Sequence, residues 1–356
     1  MRVMILSSFV YKEQGWELTE LAPLQSVNLL VGRNATGKTR TIRALNNVTS
    51  FMQMRETSMG NSTFEANLKF GDIKNPDWKM DYFFRILSGV VEKEVLSVNG
   101  VKLIYRTKAI AKYTDQKINP PSDKLVVQIR RDKDLYPEIE LLMTWVEGVT
   151  SVSCSDINPF TILGTGKFFN PYNFSELVEA LSPVEMKKVL ATSKELGYDI
   201  ARITTIEAIN GIRLVQLKER YVPKEMIDIQ LSSGMLRTLY LLCFVSVIKQ
   251  NKKLSLLLLD DMGEGLDYRR STDLGKIIFE DCAQNGLQLI ASSNDAFLMD
   301  VVDIAHWQIL RRKGNKVSTI NHALNPDLFR KFRLTGLSNY DLFSSDFIDS
   351  YLSREK

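Results

Sequence analysis

The stretch Val27-Asn28-Leu29-Leu30-Val31-Gly32-Arg33-Asn34-Ala35-Thr36-Gly37-Lys38-Thr39 decides the fold. Its first five residues form an apolar run that reads as a buried strand. Gly32 to Thr39 match the pattern G-x-x-x-x-G-K-[ST], and Thr41 to Leu45 read as the opening turns of a helix. Strand, glycine loop and helix in that order are the context this pattern requires. Gly32 and Gly37 let successive backbone N–H groups turn inward and cradle a polyphosphate, which also sits at the positive end of the helix. Lys38 is then placed to reach the β- and γ-phosphates, and the Thr39 hydroxyl to hold magnesium. Arg33, Asn34, Ala35, Thr36 and the following Arg40 complete the candidate nucleotide-binding set. The element implies a bound nucleoside triphosphate with Mg2+.

Composition adds only broad limits. The 356 residues are 44% hydrophobic and 25% charged, enough for one large domain or two smaller ones. Forty-six basic against 42 acidic residues give a net charge of +4, compatible with nucleic acid without arguing for it. Cys154, Cys243 and Cys282 lie far apart without metal spacing, which points to a reducing, cytoplasmic setting. Met1 to Leu6 is interrupted by serines too soon for a secretory signal, and the longest apolar run, Leu239 to Ile248, is about half a bilayer crossing. No contact with a membrane is expected.

Three later segments narrow the reading. Leu254 to Asp261 is an apolar strand ending in two acids, Asp260 and Asp261. In phosphate-loop ATPases the first such acid holds magnesium and the second orients the attacking water. Carboxylates at that end of the strand also lie where ligands bind in open parallel sheets. Gly265-Leu266-Asp267 follows, then a helical stretch from about Tyr268 to Gln284 and a further strand, Leu287 to Ser292: one βαβ unit, right-handed by rule. Upstream, Leu231-Ser232-Ser233-Gly234-Met235 opens the apolar helix Leu236 to Ile248.

With these four motifs in this order, the chain resembles ABC-class ATPases over essentially its whole length. The resemblance implies an α/β fold: an ABC-type P-loop ATPase core with an antiparallel β subdomain and an inserted helical or mixed lobe. It implies ATP and Mg2+ as ligands, and a homodimer in which two protomers sandwich two ATPs head to tail. Ser232, Ser233 and Gly234 of one subunit then close over the γ-phosphate bound by the other. Thr39 and Asp260 are the implied magnesium residues. Gln128, at the junction of the lobes, is a candidate third, with Gln53 a poorer one.

The gap of about 190 residues between loop and signature is longer than in transporter nucleotide domains. No sustained heptad fills it, which separates the chain from the long coiled-coil SMC and double-strand-break repair branches. Instead Asp81 to Arg106 reads as a hairpin about Asn99-Gly100, with Tyr82-Phe83-Phe84 and Val101 to Tyr105 flanking. Lys124 to Ile129 reads as a strand. Ser182-Pro183-Val184-Glu185 opens a helix that stops at Gly197, and Asn210-Gly211 turns a second hairpin between Ile203–Ile206 and Arg213–Leu217. This arrangement is similar to RecF-like and OLD-type ATPases, a branch rich in phage-defence and DNA-damage proteins. About 60 residues follow Asn294, without the acidic cluster of a TOPRIM nuclease. The division expected is residues 1–130, an N-terminal ATPase lobe; 131–230, the inserted lobe; and 231–356, a C-terminal ATPase lobe.

Two departures bear on mechanism. The catalytic acid, usually glutamate in this class, is Asp261, one methylene shorter; Glu264 is the alternative. The switch position, usually histidine, is Asn294, which hydrogen-bonds but carries no charge. Asp261, Asn294 and Lys38 are therefore the candidate catalytic residues of a slow ATPase. Phe9 or Tyr11 is a candidate for stacking on adenine, although residues there more often belong to the core. Arg311-Arg312-Lys313 reads as a hairpin turn, with nucleic acid as the alternative contact. Phe329, Phe332, Tyr340, Phe343, Phe347 and Tyr351 pack on the core or dock a partner. The function expected is an ATP-driven dimeric switch controlling a separately encoded effector, in antiviral defence. The alternative is a RecF-like DNA-binding ATPase of repair.

Overall fold

The computed structural model describes residues 3–54, 62–158, 172–208, 211–250 and 254–354. The N-terminal part runs β1 (Met4–Glu13), β2 (Trp16–Leu21), β3 (Val27–Val31) and helix α1 (Lys38–Met52). A meander follows: β4 (Phe64–Asp72), β5 (Asn75–Leu87), β6 (Val90–Val98), β7 (Val101–Thr107), β8 (Ala111–Tyr113) and β9 (Gln116–Lys117). Next come α2 (Val126–Ile129), α3 (Pro137–Glu147), β10 (Val149–Ser153), α4 (Phe174–Ala180), α5 (Pro183–Glu195), β11 (Ile200–Glu207), β12 (Arg213–Glu219) and β13 (Met226–Ile227). The last third holds α6 (Ser233–Gln250), β14 (Leu256–Asp260), α7 (Tyr268–Gln284), β15 (Gln288–Ser292), α8 (Ala296–Val301), β16 (Trp307–Lys313) and β17 (Lys316–Ile320). Helices α9 (Pro326–Arg333), α10 (Asn339–Ser344) and α11 (Phe347–Arg354) close the described chain.

Strands β3, β14 and β15 are buried at every position, as strands covered by helices on both faces must be. They lie parallel in one 14-stranded sheet of order β10-β14-β15-β3-β16-β17-β2-β1-β4-β5-β6-β7-β8-β9. Alternation along each strand divides its side chains between two cores. Leu30, Leu258 and Ile290 face α1, α3 and the β meander, whereas Leu29, Leu257 and Leu289 face the helices of the last two thirds. Side-chain amides from β15 and β16, the strands on either side of β3, tie down β1 and the turn that feeds β3. Gln288 donates to Leu6 O at 2.7 Å and accepts from Leu6 N at 2.9 Å, and Gln308 donates to Pro23 O at 2.8 Å. Buried amides matched in this way avoid the cost of an unpaired polar group and pin the phosphate loop's strand between its neighbours.

Two expectations need correction. The Asn99-Gly100 turn joins β7 to β6, not to the Tyr82–Phe84 strand. A second turn at Ser88-Gly89, both residues at positive φ, inserts β6 between them, so Asp81 to Arg106 is a three-strand meander. Lys124 to Ile129 is not a strand: Val126–Ile129 is the short helix α2. Its N-terminus is held by the fully buried Glu94 carboxylate, which accepts from Val126 N at 2.8 Å, Val127 N at 3.3 Å and the Tyr82 hydroxyl at 3.0 Å. Burial pushes the Glu94 carboxyl up to about 7 against those hydrogen bonds and Arg106. Within 131–230, β10 joins the main sheet beside β14, while β11–β13 make a separate three-stranded sheet. Helix α5 begins at the Ser182 cap, which accepts from Glu185 N, and Gly197 follows it at positive φ. The hairpin of Ile203–Ile206 with Arg213–Leu217 is present, and Asn210 of its turn lies outside the described residues. The six C-terminal aromatics pack on one core. The three cysteines are buried thiols, and no described helix is long and apolar enough to cross a membrane.

Candidate functional site

The chain leaves β3 at Gly32 and re-enters regular structure at Lys38, the first residue of α1. Both glycines are needed there. A side chain at Gly32 would meet Thr36 Oγ1 at 2.5 Å, and Gly37 sits at φ +110° against the Trp16 ring. Ala35 also takes positive φ, and Thr36 closes the loop on Arg33 O through its N–H and its hydroxyl. Lys38 folds back so that its Nζ donates to Gly32 O at 2.5 Å. Burial lowers the Lys38 ammonium below its ordinary range, while Asp261 and Asp260 pull it back up.

The two acids arrive from β14, two strands away through β15. Thr39 donates to Asp260 Oδ1 at 3.2 Å, and Ser292 donates to the same oxygen at 2.5 Å. Asp261 N–H in turn donates to Ser292 Oγ at 3.0 Å. Asp261 adopts φ +54°, a left-handed conformation that Asp and Asn tolerate better than most side chains. Its carboxyl is raised above the usual range by burial first, then by Asp260 and Glu264, against Lys38 and Arg43. The adjoining segment is equally fixed. Ser293 donates to Met262 O at 2.7 Å, and Asp295 accepts from Ser271 at 2.5 Å beneath Gly263, which has no room for a side chain.

Two clefts meet at Asp261 and Asn294. One, of about 610 Å³, is lined by the loop from Asn34 to Arg40 together with Arg43 and Arg312. The other, about 550 Å³, runs along Met262 to Leu266 to Asp295 and Phe297. Lys38, Thr39, Asp261 and Asn294 are thus brought together, and Asp260 sits on Thr39. The signature is elsewhere: Ser232 and Ser233 are exposed at the start of α6 and line neither cleft. Ser232 Oγ caps the helix by accepting from Met235 N at 3.3 Å. Gly234 lies against Gly265 O, and Arg237, one turn on, donates to Glu264 O at 2.6 Å.

Of the other candidates, Gln128, Gln53, Phe9 and Tyr11 line neither cleft. Gln128 spends its amide on backbone, donating to Phe51 O at 2.7 Å and accepting from Leu125 N at 2.7 Å, and Gln53 donates to Val146 O. Glu264 is exposed on the second cleft. Phe9 and Tyr11 are core residues, Tyr11 stacked on Phe64. Arg311–Lys313 does end a hairpin strand, but Arg312 turns back to donate to Ala35 O at 3.2 Å. Ser292 and Arg43 carry no site role in the sequence reading, and Arg312, read there as a hairpin turn or nucleic-acid contact, lines the phosphate cleft. Arg43 had a legible cue, because it follows Thr39 by one helical turn and so shares its face.

A fold with this loop, acidic strand and separate signature helix is the ABC-type ATPase fold of SMC head domains, and structural comparison bears that out. An SMC head solved bound to the C-terminal winged-helix domain of ScpA matches with a TM-score of 0.55 at 13% identity, over 88% of this chain and 96% of that one. The Pyrococcus furiosus SMC head with an extended coiled coil, bound to the C-terminal domain of ScpA, matches at TM-score 0.50 and 12% identity, over 93% of this chain and all of that one. No protein-family model and no curated protein sequence matches the chain.

Proposed function

We propose that the protein is a slow ATPase switch that dimerises head to tail around two ATPs and controls a separately encoded effector. The observation that carries the reading is the separation of halves. The loop, Asp260, Asp261 and Asn294 build one side of a triphosphate site, while Ser232 and Ser233 stand exposed and Gly234 half-buried outside it. A second protomer supplies the missing side. Thr39 and Asp260 offer the hard oxygen donors that Mg2+ prefers, and when bound the ion neutralises charge on the phosphates. The chain's own residues do the rest. Lys38 trades Gly32 O for phosphate oxygens, Asp261 accepts a proton from the attacking water, and Asn294 donates an uncharged hydrogen bond to the γ-phosphate. Without a positive charge at that position, transition-state stabilisation is weaker and the closed state lasts longer.

Affinity with the RecF-like and OLD-type branch, and a role in antiviral defence, rest on the sequence resemblance. The solved SMC heads that share this fold bind a partner protein, and a partner is proposed here by the same logic. The test is co-expression with the product of the neighbouring gene. Recovery that requires ATP and is lost with Lys38→Ala supports effector control. Equal recovery without ATP and from Lys38→Ala contradicts it.

A further inference from the structure

We propose that Arg40 is the platform on which the base of the bound nucleotide stacks, a specificity role that rests on the nucleotide reading of this cleft. Arg40 follows Thr39 and lines the phosphate cleft. Its guanidinium lies over the buried Trp16 ring, 4.9 Å from the ring centre. Nε and Nη2 both donate to Glu13 Oε1, at 3.0 and 2.7 Å, and the Tyr11 hydroxyl donates to Glu13 Oε2 at 3.1 Å. The plane is therefore fixed before any ligand arrives. One face is covered by Trp16, yet 45% of the side chain remains exposed.

Glu13 neutralises the charge, which makes Arg40 a poor clamp for phosphate and leaves a flat, weakly hydrated surface. Guanidinium planes stack on bases for that reason. Topology sets the direction. Asp261 and Asn294 follow β14 and β15 on one side of β3, while Glu13 and Trp16 come from β1 and β2 on the other side, beyond β16 and β17. A triphosphate whose γ end meets Asp261 leaves its nucleoside toward the Arg40 side. The aromatic side chains that would otherwise serve, Phe9 and Tyr11, are buried.

Titration calorimetry on the full chain with ATP and with inorganic tripolyphosphate, both with Mg2+, tests this. Stacking of one base predicts that Arg40→Ala weakens ATP about tenfold or more while changing tripolyphosphate by about twofold at most. Arg40→Lys keeps the charge but not the plane and should fail like Arg40→Ala, whereas Arg40→Tyr should retain ATP. An equal loss of tripolyphosphate, rescue by lysine, or undiminished ATP binding in Arg40→Ala would overturn the proposal. A wild type that binds neither ligand instead removes the nucleotide reading beneath it. Arg40 is on the surface, so its variants should fold, and an unchanged circular dichroism spectrum checks that they do.

Discussion

Asp261→Asn is the most informative single change to the chemistry. Asn accepts the left-handed φ of +54° found at this position, so the backbone need not move. The substitution removes the proposed base and leaves Lys38, Thr39 and Asp260 in place. Loss of a positioned general base costs about 100-fold or more in rate. Removing a negative charge that faces the triphosphate should act the other way on binding. A unit charge pair at 4 Å is worth about 1 kcal/mol in water-like surroundings, or about fivefold tighter ATP. Asp261→Asn should therefore bind ATP better, hydrolyse it far more slowly and hold the dimer closed. Burial, Asp260 and Glu264 hold the Asp261 carboxyl above its ordinary value of 3.8. A base works deprotonated, so the wild-type rate should rise with pH along an acid limb shifted upward, and Asp261→Asn should lack that limb. Steady-state phosphate release, measured against pH beside ATP affinity, reads all of this. A wild type turning over at tens per second and unaffected by Asp261→Asn would refute both the base and the slow switch.

Further outcomes follow from the same geometry. Asp261→Glu with Asn294→His should raise phosphate release by about tenfold, which is about 1.4 kcal/mol off the barrier, and shorten the life of the closed dimer; an unchanged rate sinks the account of slowness. Lys38→Ala should abolish ATP binding in calorimetry, because it removes the cation nearest the β- and γ-phosphates. Glu94 makes stability pH-dependent. Its folded value of about 7 lies above the ordinary 4.5, so its contribution is whole below 4.5 and is lost as pH rises through 7, by about 3 kcal/mol. Thermal melts should show Glu94→Gln losing less stability than wild type between those pH values.

Short-range chemistry made much of the fold legible. The loop, the acidic strand, α7 and the signature helix each carry their reason within a few residues: glycines where the backbone must turn, a cap at Asp267, full burial of Leu256 to Asp260. What escaped was decided by partners far along the chain. Val126-Val127 has β-branched strand chemistry, and it becomes a helix because Glu94, 32 residues earlier, caps it. The strand Val149–Ser153 is short and unremarkable until β14 pairs with it. Ser292 reads as an ordinary strand residue, and only the fold sets it between Asp260 and Asp261. Arg40 was legible as a loop neighbour, but not its seat on Trp16 and Glu13.

Self-association under ATP tests the central claim most directly. Ser233 is exposed as the first residue of α6, and the Ser232 cap does not depend on it, so Ser233→Arg fits the monomer while obstructing a facing triphosphate. Sedimentation velocity of wild type and Ser233→Arg, each with and without ATP and Mg2+, should show ATP driving wild type to a dimer. The variant should stay monomeric while still binding ATP. Identical sedimentation of the two proteins in ATP would contradict the head-to-tail sandwich.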